Sequence, residues 1–145
     1  MSGEDLSISL PALPENVALV RQAVAEHAGK LGVELRVIED LKTVASEACA
    51  NVVLHAYPKD AEKGPLEVDL SLEDDGLQLT VRDQGQGIQP PRGGRPLGMR
   101  MGLLLVGAIS TCFQLRSRRR GGTELKLLIG VAGRSDGGTA EKTQH

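Results

Sequence analysis

The sequence predicts an α+β fold: a two-layer sandwich whose mixed, mostly antiparallel sheet is covered on one face by helices. Three observations carry this expectation. Short runs of alternating apolar and polar residues follow one another as hairpins. Two long stretches with apolar residues at helical spacing stand next to each other in the first half of the chain. The resulting order, β-α-α-β-β-loop-α-β-β, does not alternate strand and helix as a doubly wound parallel sheet requires. With 145 residues there is room for one ordinary domain, and no disulfide or metal is needed to hold it.

The elements follow in order. Leu6, Ile8 and Leu10 alternate with polar neighbours, which marks a half-buried strand, and Pro11 and Pro14 stop it. A helix is expected from about Asn16 to Leu31, on Val17, Val20, Val24, His27 and Leu31, with Gly29 and Gly32 at its end. A second helix runs from Val37 to Leu54 or His55. Its stripe is Ile38, Leu41, Val44, Ala45, Ala48 and Val52, and Pro58 follows. By angle His55 belongs to that stripe and is expected to pack at the helix end. Leu66, Val68, Leu70 and Leu72 alternate, Glu73-Asp74-Asp75-Gly76 turns, and Leu77, Leu79 and Val81 alternate again as a hairpin. Beyond Asp83, seven of the eighteen glycines fall between Gly85 and Gly107, with Pro90, Pro91 and Pro96 among them, so a loop is expected. A short helix from Gly102 to Ile109 comes next. Strands Thr111 to Arg118 and Thr123 to Val131 close the fold around the turn Arg119-Arg120-Gly121-Gly122. Residues 1–132 are thus read as the domain, and 133–145 as a disordered tail.

Composition excludes several functions. Seventeen Lys and Arg against nineteen Asp and Glu give a net charge of −2, which argues against direct binding of nucleic acid. Tyr57 and Phe113 are the only aromatic residues, too few for a single-strand stacking surface. Apolar runs such as Leu103-Leu104-Leu105-Val106 fall far short of the ~20 residues of a membrane span. The start, MSGEDLSISLP, lacks the basic beginning and apolar centre of a secretory signal. Cys49 and Cys112 show no metal-ligand spacing and read as reduced, mostly buried thiols. A soluble cytoplasmic domain is expected.

Three motifs carry chemistry. Glu47 and Asn51 lie one turn apart on the second helix, at one edge of its apolar stripe. A carboxylate there can take a proton, and an amide oxygen is a hard ligand suited to Mg²⁺; both can also be merely solvated. Asp83-Gln84-Gly85-Gln86-Gly87 follows a strand. It places an acceptor beside backbone without side chains, against which a flat ligand can lie, and it can equally be an ordinary turn. Gly98-Met99-Arg100-Met101-Gly102-Leu103 opens a helix whose free N–H groups suit a phosphate, and Gly121-Gly122-Thr123 enters the last strand. The run Arg116, Arg118, Arg119 and Arg120 reads either as a solvated hairpin or as a patch for an anion or acidic partner.

In this order, E-x-x-x-N, D-x-G-x-G, G-x-x-x-G-L and G-T resemble the nucleotide-binding fold shared by gyrase, MutL and sensor histidine kinases. The segment SEACANVVLHAYP is similar to the first box of the small anti-sigma-factor serine kinases of the RsbW and SpoIIAB type. The resemblance spans Leu6 to about Val131 and implies the Bergerat-type ATP-binding fold, with ATP and Mg²⁺ as cofactors. It implies that Asn51 ligates Mg²⁺ and that Glu47 is the base toward an acceptor serine. Asp83 is implied to read the adenine amino group, with Gly85 and Gly87 giving the ring close access and Thr123 nearby. Gly98 and Gly102 are implied to line the phosphates, with Arg100 and Leu103 in the same stretch. The implied activity is that of a serine kinase that phosphorylates a STAS-type anti-anti-sigma protein and sequesters a sigma factor, as a homodimer. Two departures stand out: Arg100 replaces a glycine of the usual Gly-x-Gly-Leu, and the loop from Ile88 to Leu97 is short. They leave open the alternative of a nucleotide-binding partner-switch module without kinase activity.

Overall fold

The structure, a computed structural model, describes residues 5–58, 62–85, 112–119 and 121–130. The expected short helix from Gly102 to Ile109, most of the glycine-rich stretch before it, and the expected tail 133–145 lie outside the described residues.

Strand β1 (Leu6–Pro11) leads into helices α1 (Pro14–Lys30) and α2 (Leu35–His55). Four strands follow: β2 (Pro65–Glu73), β3 (Gly76–Asp83), β4 (Cys112–Ser117) and β5 (Thr123–Ile129). They form one five-stranded sheet in the order β1-β2-β3-β5-β4, and every pairing is antiparallel. The two-layer α+β expectation holds, and among the described strands the sheet is wholly antiparallel rather than mixed. The last strand passes between β3 and β4, so Thr123, the first residue of β5, comes to lie near the end of β3. That return strand positions the site.

Period decides what is buried. Leu66, Val68 and Leu70 of β2, Leu77, Leu79 and Val81 of β3, and Leu125, Leu127 and Ile129 of β5 share one core with the helices. Helix α1 contributes Val20, Val24 and Ala28, four residues apart, and α2 contributes Val37, Leu41, Val44, Ala45, Ala48, Cys49 and Val52. Two details depart from the sequence reading. Val37 is buried where Ile38 was expected, and Ile38 only packs against the core's edge. His55 is exposed rather than part of the core. It stands at the margin of the buried arc at the last helical position, and Ala56 and Tyr57 turn inward to fill the helix end instead.

Helix α1 starts two residues earlier than expected, because Pro14 suits the first turn, where no N–H is needed. The buried Asn16 amide donates to the Pro11 carbonyl at 2.8 Å and fixes the passage from strand to helix. Cys49 is fully buried, and desolvation pushes its thiol up to about 12, so it is an inert core side chain.

On the open face of the sheet a chain of polar contacts crosses all five strands. Ser7 donates to Asp69 at 2.6 Å, and Arg82 joins Asp69 at 2.6 Å to Glu124 at 3.0 Å. Arg116 then reaches Glu124 at 2.9 Å. Partial burial opposes ionisation of Asp69 and Glu124, yet these hydrogen bonds and the arginine charges hold both below the ordinary carboxylate range.

The β2–β3 turn gives a stability test. Among the described residues no side-chain-bearing residue has positive φ, so Asp74 and Asp75 leave the unusual conformation to Gly76, at φ 153°. A methyl group there would lie 2.3 Å from the Ile129 carbonyl oxygen. Gly76→Ala is expected to cost about 1–3 kcal/mol, read as a lower midpoint in chemical denaturation. An unchanged midpoint would show that the turn relaxes freely.

Candidate functional site

The site is assembled where three elements end together: the C-terminal part of α2, the end of β3 and the turn between β4 and β5. Asp83 is its centre. The last residue of β3, it is only 5% exposed. Its Oδ1 accepts the Gly85 N–H at 2.9 Å and the Thr123 N–H at 3.2 Å. Both amides use the same oxygen, so the carboxylate is oriented without Oδ2 being used by either. The structure thus brings together three of the residues singled out from sequence: Asp83, Gly85 and Thr123.

The electrostatics of Asp83 run against ordinary stabilisation. Desolvation raises its pKa and outweighs the two amide hydrogen bonds and the nearby Arg118 charge, which lower it. A carboxyl group whose pKa is raised on folding holds its proton more tightly in the folded state. Its contribution to stability is present at acid pH and is lost as pH rises from the ordinary Asp range through the raised value. Asp83→Asn keeps Oδ1 for the two N–H groups and removes the charge. The variant is therefore expected to be at least as stable as wild type at pH 7 and to lose this part of the pH dependence. Denaturation midpoints at pH 4 and pH 7 check it. A variant less stable at pH 7 would contradict the burial argument.

Glu47 and Asn51 lie half-buried on α2, at the edge of its apolar stripe, as the helical angle requires. The Asn51 amide nitrogen donates to the Glu47 backbone carbonyl at 3.0 Å. This holds the amide against the helix and leaves Oδ1 as the atom it can offer to a cation. Among the described residues no three His, Cys, Asp or Glu side chains are grouped to hold a metal ion. A lone amide oxygen fits Mg²⁺ that arrives with phosphates rather than a dedicated protein cage.

The glycines at this junction have packing reasons that the sequence did not disclose. A methyl group on Gly85 would lie 1.9 Å from the Ala56 carbonyl oxygen, so this glycine lets the loop rest on the end of α2. Gly122 has φ 99°, and a methyl group there would lie 2.0 Å from the Asp83 carbonyl oxygen. Two other contributors were not assigned a role from sequence, Tyr57 and Arg118. The Tyr57 hydroxyl accepts the Gln84 N–H at 2.9 Å, and Arg118 Nη1 donates to the Asp83 carbonyl at 2.8 Å. Tyr57 carried one usable signal: a hydroxyl-bearing ring directly after the first motif has to find a partner when buried. Within the arginine run, Arg116 and Arg118 both turn onto groups of the sheet, and Arg120 lies outside the described residues. Gly87, Gly98, Arg100, Gly102 and Leu103 lie outside the described residues.

A helix-backed antiparallel sheet with a buried, amide-anchored carboxylate at the end of one strand defines a class: the chain belongs to the histidine kinase-like ATPase domain family, whose model matches residues 10–129. Its relatives narrow this. The chain is 40% identical over 80 residues to the serine-protein kinase RsbW of Bacillus licheniformis, covering 55% of this chain and 50% of that protein. It is 40% identical over 81 residues to the RsbW of Bacillus pumilus, covering 55% and 50%. The chain therefore spans about half the length of the curated relatives it matches. The crystal structure of the RsbU and RsbW domains of Rv1364c from Mycobacterium tuberculosis is similar at TM-score 0.69 and 25% identity, over 89% of this chain and 33% of that one. The histidine kinase domain of the blue-light activated kinase EL346 from Erythrobacter litoralis shares the fold at TM-score 0.52 and 21% identity, over 92% and 64%. These similarities agree with the resemblance read from the motifs. Among the described residues no helix is long and apolar enough to cross a membrane.

Proposed function

We propose that this domain binds ATP with Mg²⁺ and transfers the γ-phosphate to a serine of a STAS-type anti-anti-sigma protein, and that it sequesters a sigma factor, as a cytoplasmic homodimer. The observation that carries the reading is the buried Asp83 carboxylate, held through one oxygen by Gly85 and Thr123. The similarity to RsbW serine-protein kinases supports it. Asp83 accepts from the adenine amino group, with Gly85, Gly87 and Thr123 beside the ring. Asn51 offers its oxygen to Mg²⁺, which neutralises phosphate charge when bound. Gly98 and Gly102 line the phosphates, with Arg100 and Leu103 in the same stretch. Glu47 takes the proton of the acceptor serine as its oxygen bonds to the γ-phosphorus and ADP leaves; the rest of catalysis is positioning.

The test is incubation with γ-labelled ATP, Mg²⁺ and each STAS protein of the same genome, with label on a serine as the expected result. Bound nucleotide without transfer to any of them would favour a partner-switch module, the reading to which Arg100 in the phosphate loop points. Absence of nucleotide binding would overturn both. Two variants locate the ligand. Asp83→Asn is expected to weaken ATP binding by about 10–100-fold, since it turns a donor toward the adenine amino group, a mismatch of roughly 1–3 kcal/mol. Asn51→Ala is expected to abolish the Mg²⁺ dependence of ATP binding at little cost in stability, because the side chain lies at the helix edge. Calorimetric titrations with and without Mg²⁺ check both.

A further inference from the structure

The N–H of Gln84 and the C=O of Asp83 belong to one peptide group, and each is held by a side chain outside the motif. From the helix side comes Tyr57, two residues past α2. Its hydroxyl donates to the Pro65 carbonyl at 2.6 Å and accepts the Gln84 N–H at 2.9 Å. From the hairpin side comes Arg118, whose Nη1 donates to the Asp83 carbonyl at 2.8 Å, with the Glu67 carboxylate 3.9 Å from the same nitrogen. Gripped at both polar atoms from opposite elements, this peptide plane cannot rotate without breaking one of the two bonds. Asp83 carries the carboxylate on one side of that plane, and Gly85, whose N–H orients the carboxylate, lies one residue beyond it.

We propose that Tyr57 and Arg118 are positioning residues that clamp the Asp83–Gln84 peptide and thereby set the preference of the site for adenine over guanine. The proposal rests on the reading of Asp83 as the group facing the base. A fixed carboxylate oxygen accepts from the amino group of adenine and repels the carbonyl that guanine presents at the same place. A carboxylate free to swing with its peptide loses part of both effects. The rest of Tyr57 is suited to the task. The residue is buried, and a methyl group on Gly64 would lie 2.6 Å from its ring, so Gly64 lets the backbone close over the ring edge. Burial, joined by the Asp83 and Glu67 charges, raises the hydroxyl pKa against the opposing effects of the Gln84 N–H and Arg118. The phenol therefore stays protonated and keeps donating to Pro65.

The experiment measures ATP and GTP dissociation constants by calorimetry for wild type, Tyr57→Phe, Arg118→Ala and Arg118→Lys, at a temperature well below each denaturation midpoint. Tyr57→Phe removes one oxygen and keeps the ring. It is expected to weaken ATP binding roughly ten-fold and to lower the ATP-to-GTP preference by a similar factor. Arg118→Ala is expected to do the same, and Arg118→Lys, which keeps a donor and a charge, to restore most of it. A merely structural role would lower the midpoint and leave the nucleotide preference unmoved, and that result in both Tyr57→Phe and Arg118→Ala overturns the proposal. Should one of the two fail to fold, the other decides. A wild type that binds neither nucleotide, or both equally, removes the adenine reading itself, an outcome distinct from variants that keep the wild-type preference.

Discussion

On the proposed kinase reading, Glu47→Gln is expected to slow phosphotransfer by about 10²–10⁴-fold, the usual effect of losing a general base, while ATP affinity stays within about two-fold. The substitution keeps length, helix propensity and most hydrogen-bonding capacity, and it removes only the ability to take a proton. The local geometry isolates the effect further. Asn51 is held by the backbone carbonyl of residue 47, not by its side chain, so the amide assigned to Mg²⁺ keeps its orientation in the variant. Single-turnover transfer from labelled ATP to the STAS substrate reads the rate, and calorimetry reads the affinity. Equal rates for variant and wild type would remove Glu47 as the base. Parallel losses of rate and affinity would place it on the phosphates instead.

Much of this architecture was legible because periodicity and burial say the same thing twice. The β2–β3 hairpin is a case in point: Leu66, Val68 and Leu70 alternate toward the core, and the turn falls at Asp74-Asp75 as the composition requires. The stripe of α2 was readable except at its first turn: Val37 lies about 40° to one side of Leu41 and is buried, whereas Ile38, about 60° to the other side, only packs against the core's edge. His55 was misread for a related reason. Angle alone does not tell where the covering layer stops, and Ala56 and Tyr57 supply the helix end instead.

Glu47, Asn51 and Asp83 stand out in the sequence by residue type and spacing, and the structure joins Asp83 to Gly85 and Thr123 and, separately, Asn51 to the Glu47 backbone. What gives Gly85 its necessity was not legible. The sequence suggested access for a flat ring, whereas the backbone shows a carbonyl of Ala56 where a side chain would stand. That contact joins residues 29 positions apart, and no local pattern encodes it. Tyr57 and Arg118 escaped for the same reason, since each acts on a peptide group brought near only when the sheet has formed.

Gly122→Ala is expected to be strongly destabilising. Two penalties coincide at this position. The backbone sits at φ 99°, where a side chain is strained, and the added carbon would lie 2.0 Å from the Asp83 carbonyl oxygen and 2.8 Å from the Gln84 Cα. Neither neighbour is the flexible end of a side chain, so relief requires moving the backbone of the turn or of the Asp83 segment. Strain and overpacking together amount to about 3–5 kcal/mol. Either movement also disturbs the Thr123 N–H on Asp83 Oδ1 and the Arg118 contact with the Asp83 carbonyl. Nucleotide affinity is therefore expected to fall by at least about ten-fold even where the variant remains folded. Gly121→Ala separates the two penalties. Gly121 has a similar φ of 104°, but the nearest atom to an added carbon, the Gly85 carbonyl oxygen, is 4.0 Å away. It carries the strain alone, roughly 1–3 kcal/mol, and is expected to leave nucleotide affinity unchanged. Denaturation midpoints and ATP titrations on the pair decide the matter. If both variants lose stability equally and bind ATP like wild type, the turn does not support Asp83. A loss of affinity confined to Gly122→Ala ties the β4–β5 turn to the base side of the site through one carbonyl oxygen.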